Sequence, residues 1–286
     1  FKKNGETLDW LVLTHGDRDH YNMVEEFIRT FEIKIANMMY GGNGADYGTL
    51  MGKLNMSQTG AGHPINVVMP SGTVPFELKS RDYFGGVYVQ VLGIDSPAAS
   101  TKTKAWLKNT SSVVLRLEYG GQSVLLCGDA TTDTEKAILA TLTRNDSLED
   151  LKSNVLKVGH HGSARTSISP KWIEAIQPEY IFISSDRSGT LTEKGKPTGH
   201  RLPQQLAIDI IHANTTRLAT AKKHNYVSSY DPTDYTKFRK TKAGKDFKNP
   251  HTKEEWGARK TWVQFTNTNA IFTTLASMDM KSADCS

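Results

Sequence analysis

Four potential metal ligands lie within six residues near the start of the chain, in segment 14–20 of sequence Thr-His-Gly-Asp-Arg-Asp-His. The segment directly follows an apolar run, 8–13, that is typical of a buried strand. Neutral imidazoles and carboxylates are ligands for zinc, manganese and iron, and their mixture at short spacing is typical of a catalytic site rather than a closed thiolate site. The segment therefore predicts a catalytic metal centre.

The spacing within this segment predicts two metal ions. In an extended chain alternate side chains share a side, so His15 and Asp17 can converge on one ion. A helix predicted over 23–28 would place Asp19 and His20 at its start, where they can face a neighbouring ion. In the alternative account Asp19 is only an N-cap and Asp17 lies in an exposed turn. That account leaves both histidines without a role.

Further candidate ligands occur where other predicted strands end. Asp129 comes just past a buried strand and one glycine, where a carboxylate can bridge two ions; an ordinary turn is the alternative. His160 and His161 lie between two glycines, an arrangement that suits neither core packing nor a helix. His200 precedes a predicted helix, and taken alone it would be a surface residue.

Length and composition predict one α/β domain over residues 1–286. With 37% hydrophobic content, a chain of 286 residues can bury a sizeable core. It contains no apolar run long enough to span a bilayer and no signal peptide at its start, so we expect no membrane association. Because Phe1 is not an initiator methionine and a strand begins within ten residues of it, we expect earlier residues of the natural protein to be absent.

The cysteine content bears on the cellular compartment, and the net charge bears on the kind of binding partner. Cys127 and Cys285 are the only cysteines, which excludes a disulfide framework and argues against a thiolate zinc site. A reducing compartment fits, and we expect a cytoplasmic location. The formal charge of +5 and the pI near 9.0 favour an anionic partner such as nucleic acid, although similar charge occurs in proteins that bind none.

Hydrophobic periodicity predicts a mixed architecture with two sheets whose outer faces are covered by helices. The predicted strands are 8–13, 65–69, 87–92, 113–117, 123–127, 155–158 and 180–183. The predicted helices are 23–28, 134–142, 170–176 and 203–212, the last two opening with a proline. Gly120 and Gly121 predict a tight hairpin. Segment 43–63, rich in Gly, Ser and Asn, predicts a long loop or lid.

The order of the motifs resembles the metallo-β-lactamase superfamily. After His-x-Asp-x-Asp-His come Asn-x-Ser (Asn109 and Ser111), Gly-Asp, His-His-Gly-Ser and Gly-His. More narrowly, the pattern from about Leu8 to Pro203 is similar to the soluble nuclease-like domain of ComEC-type competence proteins. The resemblance implies an αββα sandwich with the metal site at one edge of its two sheets. It also implies that the first strands of a complete fold precede this chain.

The resemblance assigns two divalent ions and most of their ligands. His15 and Asp17 would hold the first ion, Asp19 and His200 the second, and Asp129 would bridge them. Many relatives have a histidine in place of Asp17, and the carboxylate makes the first site harder and more tolerant of manganese or magnesium. For the pair of ions we expect zinc or manganese, with magnesium as an alternative.

Four further residues complete the implied site. His20 would bind the second ion or lie just behind it. His160 would be a further ligand, and His161 would support the ligands from behind or act as a general acid, although these two roles could be exchanged. Asn109 replaces a metal-binding histidine of other branches, which implies a more open first site.

A pair of adjacent metal ions indicates a hydrolytic reaction. At about 3.5–4 Å apart they can lower the pKa of a shared water, orient it for in-line attack and neutralise a phosphoryl group. Asp19 would orient that water, and His161 would protonate the leaving alkoxide. We therefore expect a metal-dependent phosphodiesterase acting on nucleic acid, and specifically a DNase. The same site could instead hydrolyse a small ester, lactone or β-lactam.

A basic segment bears on the substrate. Segment 226–260 interleaves six aromatic residues with nine lysines and arginines, the combination that a groove for single-stranded nucleic acid requires. An exposed insertion with solvated lysines is the alternative. Runs 262–265 and 270–273 predict a hairpin that closes the insertion. A catalytically silent nucleic-acid-binding module is the third functional hypothesis, and no obligate protein partner is indicated.

Overall fold

The computed structural model describes residues 6–60, 62, 64–69, 75–79, 86–184 and 202–215, together with the backbone of 226–228, 260–265 and 270–275. Within this part of the chain, every helix is too short or too polar to cross a lipid bilayer.

Strands and helices alternate along most of the described chain. The strands are β1 (Thr7–Leu13), β2 (Lys34–Tyr40), β3 (Asn66–Val67), β4 (Phe76–Lys79), β5 (Tyr88–Gly93), β6 (Val114–Tyr119), β7 (Gln122–Leu126), β8 (Val155–Lys157), β9 (Tyr180–Ile183), β10 (Tyr226–Ser228), β11 (Lys260–Phe265) and β12 (Ala270–Leu275). The α-helices are α1 (Val24–Thr30), α2 (Leu50–Gly60), α3 (Lys104–Thr110), α4 (Thr132–Arg144), α5 (Pro170–Ile176) and α6 (Gln205–Asn214).

The smaller sheet contains β1, β2 and β3, all parallel. Alternate side chains of a strand point to opposite faces. Leu11 and Leu13 of β1 accordingly join the apolar cluster under α1 and α2, whereas Trp10 and Val12 join the cluster that faces the larger sheet. Both faces of β1 are therefore covered, which is why its sequence is a nearly continuous apolar run.

The larger sheet has the strand order β10-β9-β8-β7-β6-β5-β4. Strands β7 to β10 are parallel, while β4 to β7 pair antiparallel. Tyr119 pairs with Gln122 across Gly120 and Gly121, whose φ angles are +56° and +76°, so the predicted hairpin is confirmed. Because β7, β8 and β9 are parallel, the segments that follow them emerge at one edge of the sheet.

Besides the apolar cluster under α1 and α2, two further apolar layers join the sheets and their helices. Met39, Val89, Val91 and Val113 form the layer between the two sheets. On the outer face of the larger sheet, helices α4, α5 and α6 bury a second layer that includes Ile138, Trp172 and Ile211. With α1 and α2 on the other side, the layers run helix, sheet, sheet, helix, which confirms the predicted αββα sandwich.

The structure corrects two predicted elements. Segment 43–63 is not a long loop, because a short 3-10 turn at Gly44–Tyr47 and helix α2 occupy most of it. Leu50 and Leu54, one helical turn apart, are buried against the smaller sheet, so tertiary packing holds a helix that its Gly and Asn content does not favour. The helix predicted at 203–212 begins at Gln205, two residues after the proline.

The C-terminal part is described only as strand backbone. Antiparallel β11 and β12 confirm the predicted hairpin around 266–269. Strand β10, which covers the first three residues of the predicted basic insertion, pairs with β9 and thus belongs to the larger sheet. Residues 229–259 lie outside the described residues, so the insertion at 226–260 and the single domain over 1–286 stay predictions.

Candidate metal centre

The segment after β1 is held tightly between the two sheets. The carbonyl of Thr14 accepts a hydrogen bond from the Val113 backbone at 2.9 Å, and the carbonyl of Leu13 accepts one from Gly41 at 3.1 Å. A Cβ added at Gly16 would lie only 2.4 Å from the Asp46 Cβ, so this position requires glycine. These contacts fix the path of the chain from His15 into the 3-10 turn Arg18–His20.

His15, His20 and Asp129 form one potential metal site. Their nearest ligand atoms all lie within 4.8 Å of one another. His15 Nε2 is 3.9 Å from Asp129 Oδ2, and His20 Nε2 is 3.2 Å from Asp129 Oδ1. Asp129 follows the carboxyl end of β7, and its backbone N–H donates to Ser112 Oγ at 3.1 Å. The carboxylate is thereby aimed at histidines that come from the other sheet.

A second potential site adjoins the first and shares His20. Asp19, His20 and His161 bring ligand atoms within 4.8 Å of one another. His161 Nε2 lies 3.2 Å from Asp19 Oδ2 and 3.6 Å from Asp129 Oδ2. Asp129 therefore faces ligands of both groups, and its bridging role stays a prediction.

The segment after β8 carries its two histidines on an unusual backbone. His160 and His161 have φ angles of +43° and +54°, and Gly162 follows at +81°. Left-handed conformations cost side-chain-bearing residues about 1–2 kcal/mol each, and such strain is concentrated at functional sites. The turn points the two imidazoles to different partners.

The partners of the two imidazoles differ in chemical character. His161 Nδ1 contacts the carbonyl of Ser184, which can only accept, so this nitrogen carries the proton. His160 Nδ1 lies 2.7 Å from the hydroxyl of Thr166 and 3.3 Å from the amide nitrogen of Asn109. In its neutral form His161 thus turns an unprotonated Nε2 towards Asp19 Oδ2 at 3.2 Å, a geometry in which both atoms can serve as ligands of one cation.

Burial and charge keep the ligands in metal-binding form. Burial, together with the neighbouring His20, lowers the pKa of His15 to about 3, so its imidazole stays neutral at physiological pH. Burial alone would raise the pKa of Asp129, but contact with His20 and the charges of Lys157 and His161 lower it below its ordinary value. Asp129 is therefore ionised. Burial lowers the pKa of Lys157, whose ammonium donates to the Gly128 carbonyl at 2.9 Å.

Several buried polar atoms lack a hydrogen-bond partner among the described residues, and four of them lie at this site. They are His15 Nε2, His20 Nε2, Asp129 Oδ1 and Asn109 Oδ1. The first three belong to the potential ligands, and His20 Nε2 and Asp129 Oδ1 face each other at 3.2 Å. Buried polar groups are rarely left unpaired, so these atoms are available to bind an ion.

The spacing of the ligand atoms also fits a metal. Tetrahedral zinc holds its nitrogen and oxygen ligands at about 2.0–2.1 Å, which places the ligand atoms about 3.3 Å apart. The observed separations between His15, His20, Asp19, His161 and the Asp129 carboxylate run from 3.2 to 3.9 Å. The residues present therefore fit a pair of divalent ions.

Asp17 and Lys108 lie at the margin of the site. Asp17 Oδ2 is 3.7 Å from His15 Nε2, and its other carboxylate oxygen is 3.6 Å from the Lys108 ammonium. Lys108 also donates to the Gly16 carbonyl at 3.4 Å and is only partly exposed. A cation is thus held beside the first group of ligands.

The structure brings most of the sequence-predicted site residues together. His15, Asp17, Asp19, His20, Asp129, His160 and His161 surround one small volume. His160 Nε2 is 3.8 Å from Asp129 Oδ2 and is thus less close to the carboxylates than His161. His200 lies outside the described residues. The hydroxyl of Ser111 donates to the Lys108 carbonyl at 2.6 Å.

Sequence reasoning missed the residues that support the ligands. Thr14 could have been found by its position directly before His15. Thr166, Ser184 and Lys108 carry no local signal, because they meet the site only through the fold. Lys157 was visible as a charged residue at the end of a buried strand, which is an unusual place for lysine.

Comparison with known proteins identifies the kind of chain that builds this site. The family model of the metallo-beta-lactamase superfamily matches residues 1–171. ComE operon protein 3 of Bacillus subtilis is 26% identical over 218 residues, which are 76% of this chain and 24% of that protein. Recombination protein 2 of Haemophilus influenzae is 28% identical over 188 residues, which are 65% of this chain and 19% of that protein.

The chain spans about a quarter or less of the length of these two curated relatives. Among solved structures, Igni18 from the archaeon Ignicoccus hospitalis, described as a novel metallo hydrolase, has a TM-score of 0.34 and 14% sequence identity. That similarity covers 61% of this chain and 62% of the other.

Proposed function

Because the chain belongs to the metallo-beta-lactamase superfamily, we propose that it is a metal-dependent phosphodiesterase that cleaves nucleic acid, and DNA in particular. The observation that carries this proposal is the convergence of His15, His20, Asp129, Asp19 and His161, with buried ligand atoms that no other described residue satisfies.

We assign these residues to two divalent ions. His15, His20 and Asp129 would hold one, with Asp17 beside them, and Asp19 and His161 would hold the other, with Asp129 between. Zinc or manganese suits these ligands, and magnesium would be tolerated. When bound, such a pair supplies a nucleophilic water at neutral pH and charge stabilisation for an in-line displacement.

The protein's own groups have separate tasks. Asp19 is largely exposed and uses one oxygen towards His161, so its carboxylate can also accept a hydrogen bond from the attacking water and orient it. The sequence assigned His161 as a supporting group or general acid unless it exchanged roles with His160, and the contacts of His161 favour that exchange, in which His161 is a ligand. Its proton lies on Nδ1 against Ser184, so the neutral ring has none on Nε2 to give to a leaving oxygen.

The charge of the site favours an anionic substrate over a neutral one. Two divalent ions carry more positive charge than the carboxylates of Asp17, Asp19 and Asp129 carry negative charge. The ammonium groups of Lys108 and Lys157 increase that positive excess. A phosphodiester brings a negative charge that such a site stabilises, and a neutral lactone does not.

The similarity to Recombination protein 2 supports DNA as the substrate, since recombination is a process of DNA. The formal charge of +5 agrees with a polyanionic substrate. The basic segment 226–260 would add contacts to the nucleic acid, as its composition predicts.

A substrate comparison tests the proposal. The 286-residue chain is incubated with single- and double-stranded DNA, RNA, a chromogenic phosphodiester, a lactone and a β-lactam, each with Mn²⁺, Mg²⁺ or Zn²⁺ and with chelator. We expect DNA cleavage that needs metal and that Asp129→Ala abolishes. The matched control Glu149→Gln, an exposed carboxylate before β8, should behave as wild type.

Two results would count against the proposal. DNA that stays intact while the protein holds metal would exclude the DNase assignment. Turnover of the lactone or β-lactam alone would instead assign the site to small-molecule hydrolysis.

A further inference from the structure

The hydroxyl of Thr14 lies between the two imidazoles of the first ligand group. We propose that Thr14 is a positioning residue that fixes the tautomers of both His15 and His20, so that each presents an unprotonated Nε2 to the same ion. This inference rests on the metal centre proposed above.

The geometry around the hydroxyl is symmetrical. Thr14 Oγ1 is 3.2 Å from His15 Nδ1 and 3.2 Å from His20 Nδ1. The two ring centroids are 4.2 Å apart, and the rings are tilted by 57°. On the far side of each ring Nε2 is buried and faces Asp129. One side chain therefore contacts both rings at the nitrogen that is turned away from the site.

The chemistry of a hydroxyl makes this contact selective. Its oxygen has two lone pairs and can accept from two N–H donors at once, but it has only one proton to give. If both histidines donate through Nδ1, both neutral rings have a free lone pair on Nε2 for metal. If the hydroxyl donated to one ring, that ring would carry its proton on Nε2 and could not bind the ion there.

The carboxylates favour the opposite tautomer when no metal is bound. His20 Nε2 lies 3.2 Å from Asp129 Oδ1 and 3.6 Å from Asp19 Oδ2, so a proton on Nε2 would find an acceptor. Without the Thr14 oxygen, metal-free His20 could move its proton to that side. Metal binding would then have to reverse that tautomer, and affinity would fall.

Thr14 is held in place by two contacts and by the branching of its own side chain. Its carbonyl accepts from Val113 at 2.9 Å, which ties it to the larger sheet. A Cβ at Gly128 would lie 2.9 Å from the Thr14 Cβ, so the chain before Asp129 packs directly against this side chain. Threonine is branched at Cβ and has few rotamers. The hydroxyl is therefore fixed between the rings rather than free to turn to solvent.

Metal titration of four proteins tests the proposal without any substrate. Wild type, Thr14→Val and Thr14→Ser are titrated with Zn²⁺ and Mn²⁺ against a chelating dye, and metal-free unfolding is followed in urea. The matched control is Thr110→Val, which removes another buried hydroxyl, one that bonds the Trp106 carbonyl and the Thr131 hydroxyl.

The expected pattern separates positioning from general stability. Loss of a group that orients metal ligands typically lowers metal affinity about 10- to 100-fold, and we expect that loss for Thr14→Val. Thr14→Ser keeps the oxygen and should bind as wild type. The metal-free stability of Thr14→Val should change little, because the His20 imidazole can turn its proton to the carboxylates. Thr110→Val should show lower stability with unchanged affinity.

Other outcomes overturn the proposal. Wild-type affinity in Thr14→Val would do so, as would equal losses in Thr14→Ser and Thr14→Val. If Thr14→Val does not fold, Thr14→Ser and Thr14→Ala give the same comparison at smaller volume. A wild type that binds neither metal would refute this inference and the metal centre together, whereas metal binding without DNA cleavage would refute only the proposed substrate.

Discussion

Lys108 is the side chain that best distinguishes a charged substrate from a neutral one. Its ammonium lies 3.6 Å from Asp17 at the margin of the site. We expect Lys108→Met to lower kcat/KM for a phosphodiester about 10- to 100-fold, because a charge-assisted hydrogen bond contributes about 1.5–3 kcal/mol. Hydrolysis of a neutral ester, where it is measurable, should change less. The readout is the ratio of the two kcat/KM values.

The control for this prediction is Lys152→Met. Lys152 is exposed, pairs with Glu149 and precedes β8, whereas the site lies after that strand. Metal affinity of Lys108→Met is measured in parallel, since Lys108 also contacts Asp17. If Lys108→Met binds its full metal content and the ratio of kcat/KM for the phosphodiester to kcat/KM for the neutral ester is unchanged, Lys108 does not stabilise the charge of the substrate.

Substitution by asparagine separates the roles of His160 and His161. Both residues have positive φ, which asparagine tolerates better than most residues, so either variant should keep the backbone turn. His161 faces Asp19 at 3.2 Å, and we expect His161→Asn to lower kcat/KM by about 100-fold or more. The loss in His160→Asn should be smaller. The reverse order in a steady-state assay would restore His160 as the principal ligand.

The chemistry of single residues was partly readable from the sequence. His15 and Asp129 could be predicted because few residue types bind metal and because both directly follow buried strands. The choice between His160 and His161 could not be made, since it depends on which ring meets the Ser184 carbonyl after folding. Lys108 could not be assigned to the site from the sequence either, because the fold alone brings it there.

The turn between β7 and Asp129 depends on glycine for two physical reasons. Gly128 has a φ of +52°, and an added Cβ would lie 2.9 Å from the Thr14 Cβ. Gly121, with φ of +76° in the β6–β7 hairpin, has open space around it. Gly121→Ala should therefore show only the left-handed cost of about 1–2 kcal/mol. Gly128→Ala should add an overpacking cost of about 1–3 kcal/mol.

Urea unfolding of both variants gives the comparison directly. The difference between them reports the close approach of the two sheets at the site. If Gly128→Ala and Gly121→Ala lose the same free energy of unfolding, Gly128 and Thr14 are packed less closely than in the structure.

Elements with strong periodicity were predicted well, and those fixed by tertiary contacts were not. Helices α4 and α5 and the β6–β7 hairpin follow from their apolar spacing and their turn residues. Helix α2 has Gly52, Asn55 and Gly60 within its length, so local preference opposed it. Burial of Leu54 against the smaller sheet stabilises the helix, and the local sequence does not show that burial.

The stability of the whole molecule should depend on pH through Glu135. This carboxyl group is buried on α4 and accepts hydrogen bonds from the backbones of Ile168 and Ser169. Burial raises its pKa from 4.5 to about 7. Because the folded value exceeds the unfolded one, its contribution is complete below about pH 4.5 and is lost as pH rises to about 7. The loss amounts to about 3 kcal/mol.

Glu135→Gln removes this titration while keeping the shape of the side chain. We expect its free energy of unfolding to fall less than that of wild type between pH 5 and pH 8 in urea titrations, on the order of the loss estimated above. Parallel curves for the two proteins over this range would show that Glu135 does not titrate as its burial requires.

At the scale of the whole molecule, the sandwich explains why ligands distant in sequence meet. The sequence motifs identified the superfamily, whose description matches residues 1–171. The order of strands in the larger sheet was not predictable from local pattern, because pairing between β8 and β9 is decided by the helices that pack over them.

The central claim is that this chain binds a pair of divalent ions at the cluster around Asp129. The direct measurement is the metal content per chain of wild type and Asp129→Asn after loading with Zn²⁺ or Mn²⁺ and removal of free metal. We predict two ions per chain in wild type and a clear loss in the variant, with the exposed-site control Glu149→Gln unchanged. Metal-free wild type, or the same metal content in Asp129→Asn, would contradict the account.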